Sequence, residues 1–176
     1  EKTRLLHDTR LAVEAMRERQ GALKGEIAEL EALAARQKTA LDAIRTYSGK
    51  HEVDDKLPGK PVIGVTVVYE VDDEELAGLV NALTAFPQLT KLRLRSSHIS
   101  DQGLARLRAL PQLRTLSIDG VSADKASPKA SPITDAGLAR LQALGNLEHL
   151  ILKGTQVSDG GVEALQKELP QAKIER

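Results

Sequence analysis

The sequence predicts an α/β protein in which about four strand–helix units stack into a solenoid, preceded by a long amphipathic helix or a helical hairpin. Two observations lead to this prediction. Residues 3–47 contain no proline and place apolar side chains at alternating intervals of three and four. Residues 89–170 repeat one pattern three times, and each repeat changes from the period of a strand to the period of a helix.

The N-terminal segment, residues 1–47, has the pattern of a heptad seam, because nine of its twelve a and d positions are apolar. Gly21 and Gly25 interrupt the seam, and each costs about 1 kcal/mol in a helix interior. They leave two alternatives open, a bent helix and a hairpin. Like charges would face each other in a parallel in-register dimer, so antiparallel pairing or packing on the rest of the chain is favoured. The candidate self-association residues are Leu6, Val13, Met16, Leu23, Ile27, Leu30, Leu41 and Ile44.

The repeats occupy residues 61–176, after a polar stretch, residues 48–60, that contains Gly and Pro and is predicted to be a linker. Anchor leucines Leu89 and Leu113 are 24 residues apart, whereas Leu113 and Leu147 are 34 apart. The middle unit therefore carries a ten-residue insertion, 123–132, rich in Ala, Ser, Pro and Lys, for which a neutral loop is favoured over a partner contact. A diverged unit precedes the three, and residues 173–176 are expected to add a last half-strand.

Each unit has three parts with a physical reason. Alternating apolar residues such as Leu92 and Leu94 form a strand with one buried face. A Ser/Thr–Asp pair follows, and either side chain could cap the next helix. A glycine lies two residues after that Asp in the last three units, which predicts close approach to the preceding unit. The acidic run 72–75 fits a helix cap better than a calcium site.

These units resemble bacterial leucine-rich repeats of the planctomycete type, whose typical pattern is GTxVTDAGLAxLxxLPxLxxLxL. The matching stretches are GTQVSD at 154–159 and ITDAGLA at 133–139, and LPQAKI at 169–174 is similar to the usual terminal pattern. The position that often holds Asn is here Ser97, Val121 and Thr155, so no asparagine ladder is expected. The resemblance implies a solenoid that binds partners on its strand face, and an N-terminal membrane anchor or signal outside this sequence. It leaves the compartment open, with an extracytoplasmic location as one alternative.

Composition argues against several function classes. The net charge is zero and only Tyr47, Tyr69 and Phe86 are aromatic, so nucleic-acid binding is not expected. No apolar run is long enough to span a membrane. The sequence contains no nucleophile elbow, no phosphate-binding loop and no metal-ligand spacing among its four histidines. We therefore predict no enzyme activity, no cofactor and no metal.

The candidate binding surface is the concave strand face, formed by the residues that alternate with the buried leucines. It comprises Lys91, Arg93, Arg95, Thr115, Ser117, Asp119, His149, Ile151 and Lys153, and Gly64 and Thr66 are expected to continue it. One hypothesis is a protein–protein interaction module that binds an unidentified protein through this face. The alternative is a structural or assembly protein, in which the N-terminal segment drives homo-oligomerisation. In a third possibility that segment folds back and caps an open end of the solenoid.

Overall fold

The computed structural model describes residues 2–120 and 133–176, so Val121 and the insertion 123–132 lie outside the described residues. The chain divides into two compact units, Glu1–Lys38 and Thr39–Arg176. Within the described residues, the first is entirely helical, and the second contains a six-stranded sheet and four further helices. The two are described separately below.

The N-terminal helix α1 spans Lys2–Thr46 without a break, so of the two alternatives the single helix is correct and the hairpin is wrong. Gly21 and Gly25 lie inside the helix with open space around them. Their local cost is offset by the many strong helix formers on both sides. The helix ends in a Schellman motif: Ser48 has a φ of 50°, and the Gly49 amide donates to the Ile44 carbonyl at 2.9 Å.

The sheet contains six strands in chain order, β1 to β6. The first strand is antiparallel to the second and all later neighbours are parallel. The bounds are β1 Lys50–Val53, β2 Val62–Val67, β3 Lys91–Ser97, β4 Thr115–Gly120, β5 His149–Lys153 and β6 Lys173–Glu175. The expected last half-strand is thus present as β6. The stretch 48–60 differs from the predicted linker because it contains β1, which forms by pairing with β2 and not through an apolar period of its own.

Each parallel strand from β2 to β5 is followed by a helix. These are α2 Asp73–Leu83, α3 Asp101–Arg106, α4 Asp135–Leu138 and α5 Asp159–Glu168. Short 3₁₀ segments, Leu107–Ala109 and Ala139–Ala143, extend α3 and α4. The four strand–helix units expected from the sequence are therefore present.

The core lies between one face of the sheet and the helices, and consists almost wholly of Leu, Ile and Val. The strand residues predicted to point inward are all fully or nearly fully buried: Leu92, Leu94, Leu116, Ile118, Leu150 and Leu152. Ala40 and Ile44, from the last two turns of α1, join the same core, and Leu41 packs against it. Leu41 and Ile44 were predicted to support self-association, but their apolar surface is already used inside their own chain.

A ladder of hydrogen bonds links each unit to the next. The Asp73 carboxylate accepts hydrogen bonds from the backbone amide and hydroxyl of Ser100. Asp101 does the same with Thr134, and Asp135 with Ser158. We call this series the aspartate ladder.

The Ser and Thr hydroxyls also cap the helices of their own units. The Thr134 hydroxyl accepts from the Ala136 amide, and Ser158 accepts from Gly161. The Ser/Thr oxygen is thus the cap in the last three units, while the following Asp binds the next unit. The first unit has Asp72 as its cap, with Glu75 completing a capping box. This confirms the cap interpretation of the acidic run.

The repeated glycines are required by the ladder. A Cβ atom added to Gly103, Gly137 or Gly161 would overlap the ladder carboxylate of the preceding unit. At Gly137 it would also lie 2.9 Å from the Cα atom of Asp101. The predicted close approach is therefore present, and the partner is mainly a carboxylate side chain.

Candidate functional site

The nine predicted surface residues lie on β3, β4 and β5, on the face of the sheet opposite the core. We call this surface the strand face. All nine alternate with buried core residues, as the sequence predicts, and most are exposed. Ser117 differs because it is only 3% exposed. It lies between Arg93 and Ile151, whose larger side chains are directly beside it in the sheet.

Strand pairing arranges the face into rows that run across the sheet. The first row is Glu52, Gly64, Lys91, Thr115, His149 and Lys173. The second row is Lys50, Thr66, Arg93, Ser117, Ile151 and Glu175. A third, shorter row is Arg95, Asp119 and Lys153. Cations are thus concentrated on β3, where Lys91, Arg93 and Arg95 occupy alternate positions.

Two of those three β3 cations have an acidic partner within the chain. The Lys91 ammonium lies 3.1 Å from a Glu52 carboxylate oxygen, across Gly64. Arg95 lies 3.8 Å from Asp119 on the neighbouring strand. Arg93, between them, makes no ion pair or hydrogen bond through its side chain with the residues that the structure describes.

At the β6 end of the face, the charges of Lys173 and Glu175 compensate each other. The Lys173 ammonium and the Glu175 carboxylate lie 2.6 Å apart. Their hydrogen bond and opposite charges lower the pKa of Glu175 and raise the pKa of Lys173. Three cations of the face make no ion pair with the described residues: Lys153 lies on β5, whereas Arg93 at the centre of the sheet and Lys50 on β1 lie toward the opposite end.

A shallow depression of about 190 Å³ lies in that region. Its floor is formed by small residues on β2 and β4, which are Gly64, Thr66, Thr115 and Ser117. Its rim is formed by longer side chains, which are Lys50, Glu52, Lys91 and Arg93. The depression thus has a mainly cationic rim, and three of the four floor residues carry a hydroxyl group.

Sequence reasoning missed Lys50 and Glu52, the contributions of β1 to this surface. The stretch K-H-E-V has a single apolar residue, so its hydropathy carries no strand signal. The one usable hint was charge: Glu52 is opposite in sign to Lys91, with which it pairs. That hint has meaning only when the antiparallel pairing of β1 with β2 is known.

The predicted self-association residues divide into two groups. Five are exposed on the helix of the first compact unit: Val13, Met16, Leu23, Ile27 and Leu30. Met16 is the most exposed, at 71%. Leu41 and Ile44 belong to the core of the second unit, and the side chain of Leu6 lies outside the described set. Among the seam positions whose side chains are described, an exposed apolar row therefore runs from residue 13 to residue 30.

Within residues 2–120 and 133–176, no group of three or more His, Asp or Glu side chains is placed to hold a metal ion. In the same residues no helix combines the length and apolar character that crossing a membrane requires.

Comparison with known proteins places two repeats on the chain. Residues 87–107 and 146–165 each match the family model described as Leucine Rich repeat. The first match covers all of β3 and α3, and the second covers β5 and most of α5. The chain therefore contains leucine-rich repeats, a class that is typically non-catalytic and commonly mediates protein–protein interaction. No curated protein matches the chain.

Proposed function

We propose that this protein is a non-catalytic interaction module, a leucine-rich-repeat solenoid of the bacterial type, that binds a partner protein through its strand face. One observation carries the proposal: the face presents regular rows of exposed polar side chains in which Arg93 has no partner among the described residues. Charge that a chain leaves uncompensated on a rigid sheet favours a partner of opposite charge and steers its approach.

The test is a selection of binding peptides from a random displayed library against the whole protein. Selected peptides should lose binding to the variant Arg93→Glu with Arg95→Glu, since both guanidinium groups lie on the strand face. The matched control is Arg106→Glu with Arg140→Glu, which reverses two exposed charges on the helical side. Binding that survives the first variant and is lost in the second would overturn the proposal. Both variants should melt near the wild-type temperature, because exposed charges contribute little to stability.

Self-association through α1 is a second candidate function, favoured by the exposed apolar row of residues 13–30. In this proposal the helix pairs antiparallel with a second copy, which avoids the like-charge contacts of a parallel dimer. Light scattering should then give an oligomer for the whole chain and a monomer for Leu23→Glu with Leu30→Glu. The control Ala15→Glu with Ala22→Glu places the same charges outside the seam and should remain oligomeric. A wild-type chain that is monomeric throughout removes this candidate.

A further inference from the structure

On β3, the middle cation of the strand face, Arg93, has no acidic partner among the described residues. Lys91, Arg93 and Arg95 point to the same side at alternate positions, and like charges at this spacing repel one another. Glu52 and Asp119 compensate the two outer cations. In the sheet, Arg93 has Thr66 on one side and Ser117 on the other, so neither neighbour supplies a carboxylate.

Ser117 points independently to a ligand. It is 3% exposed, and its hydroxyl makes no hydrogen bond with the residues that the structure describes. Buried hydroxyl groups in folded proteins are normally paired. Ser117 lines the depression beside Arg93, so an acceptor placed there could meet the guanidinium and the hydroxyl together.

A second cation, Lys50, lies on the other side of Arg93, toward β1. Lys50 is the register partner of Thr66, which is in turn the partner of Arg93. Adjacent strands lie about 4.8 Å apart, so the backbones of Lys50 and Arg93 are separated by about 10 Å, with Thr66 between them. Lys50 also forms no ion pair within the described part of the chain. Two unpaired cations therefore flank a hydroxyl on the floor of the depression.

We propose that this depression binds a carboxylate carried by an acidic side chain of the partner, with Arg93 as its principal contact. The inference rests on the proposed function and specifies the chemistry of that partner. Arg93 provides a planar fork that matches a carboxylate, and Ser117 and Thr66 provide hydroxyl donors. Glu52 and Lys91 on the rim compensate each other, so Lys50 and Arg93 are the rim cations that remain to attract an anion.

The test uses the whole, isotopically labelled protein and a blocked hexaglutamate peptide, followed by amide chemical shifts. Shifts should be concentrated in residues 64–66, 91–95 and 115–119, and a hexaglutamine peptide should produce none. Arg93→Gln should weaken hexaglutamate binding at least tenfold, while the control Arg106→Gln leaves it unchanged. Ser117→Ala should weaken binding severalfold, and added salt should weaken it further.

Three results would overturn the inference. The first is hexaglutamate binding that is insensitive to Arg93→Gln, and the second is a shift pattern on the helical side. The third is a blocked phosphoserine tripeptide that binds more than tenfold tighter than its glutamate counterpart. Library-selected peptides that bind the strand face without acidic residues would leave the proposed function standing while the carboxylate inference fails. If no selected peptide uses the face, the proposed function fails instead.

Discussion

The carboxylate of Asp101 accepts two hydrogen bonds from Thr134, one from its backbone amide at 2.8 Å and one from its hydroxyl at 2.7 Å. Asp101 lies at the start of α3 and Thr134 caps α4, so this pair joins two consecutive units. The same arrangement recurs at Asp73 and Asp135. These repeats are therefore joined by an aspartate ladder beside the N-termini of the helices. An asparagine ladder after the strands was not expected from the sequence.

A double-mutant cycle on Asp101→Ala and Thr134→Ala should measure this connection. Hydrogen bonds to charged groups contribute more than neutral ones, and we expect a coupling of about 1–2 kcal/mol in the free energy of unfolding. Chemical denaturation supplies the four values. The Asp55–Lys60 ion pair, whose side chains are both largely exposed, is the comparison and should show no measurable coupling. Equal coupling in the two cycles would contradict the structural role of the ladder.

Gly137→Ala should destabilise the protein by about 1–3 kcal/mol, because the new methyl group would displace the Asp101 carboxylate from its position. Gly78→Ala is the matched control, since α2 has open space at that position. That substitution should stabilise the protein by about 0.5–1 kcal/mol through helix propensity. Thermal or urea unfolding distinguishes the two signs, and a neutral Gly137→Ala would show that the close approach imposes no constraint.

The ladder should also make the free energy of unfolding depend on pH in the acid range, through the carboxyl group of Asp135. Its pKa is lowered first by the Ser158 hydroxyl and then by the Ser158 amide. A carboxyl group whose pKa is lower in the folded state contributes stability above its unfolded value, about 3.9, and loses that contribution as the pH falls through the folded pKa. Melting curves from neutral pH downward should therefore show wild type and Ser158→Ala converging in acid.

The Ser158→Ala variant also loses a helix cap, which is independent of pH. Its effect should therefore be measured again in an Asp135→Ala background. There the stability difference should be constant with pH. A difference that still shrinks in acid would assign the pH dependence to another group.

Two isoleucines of α1, Ile44 and Ile27, should respond differently to the same substitution. Ile44→Ala removes a fully buried side chain and should cost about 2–5 kcal/mol. Ile27→Ala alters an exposed position and should change stability by no more than about 0.5 kcal/mol at low protein concentration. A chain that begins at residue 39 keeps Ile44 and β1 and should unfold cooperatively. A chain that begins at residue 58 lacks both and should have a lower free energy of unfolding. Similar costs for the two isoleucines would contradict this division.

The period of the apolar residues was enough to predict four strand–helix units and their inward leucines. It also predicted which residues of β3, β4 and β5 point outward. Periodicity could not reveal β1, because Lys50–Val53 becomes a strand only through pairing with β2. It could not separate Ile44 from Ile27 either, since both occupy seam positions and only tertiary packing buries one of them.

Only part of the candidate site could be predicted from the sequence, and the reason is similar. Arg93 could be placed on the strand face from alternation alone. Its lack of an acidic partner depends on which residues lie across the sheet, and strand register is set by the whole fold. The helix-start aspartates were recognised as possible caps, but their bonds to the following unit span 23 to 33 residues and are invisible to local spacing.

Those unequal spans have a practical consequence. Ladder partners are separated by 27, 33 and 23 residues, yet the same two hydrogen bonds close each interval. The longest interval contains the segment between Gly120 and Ile133, whose far end is anchored in the core by Ile133 and held by Thr134. The ladder thus acts as a spacing device that tolerates intervals of unequal length, so that insertions or deletions between two units need not alter the contact that joins them.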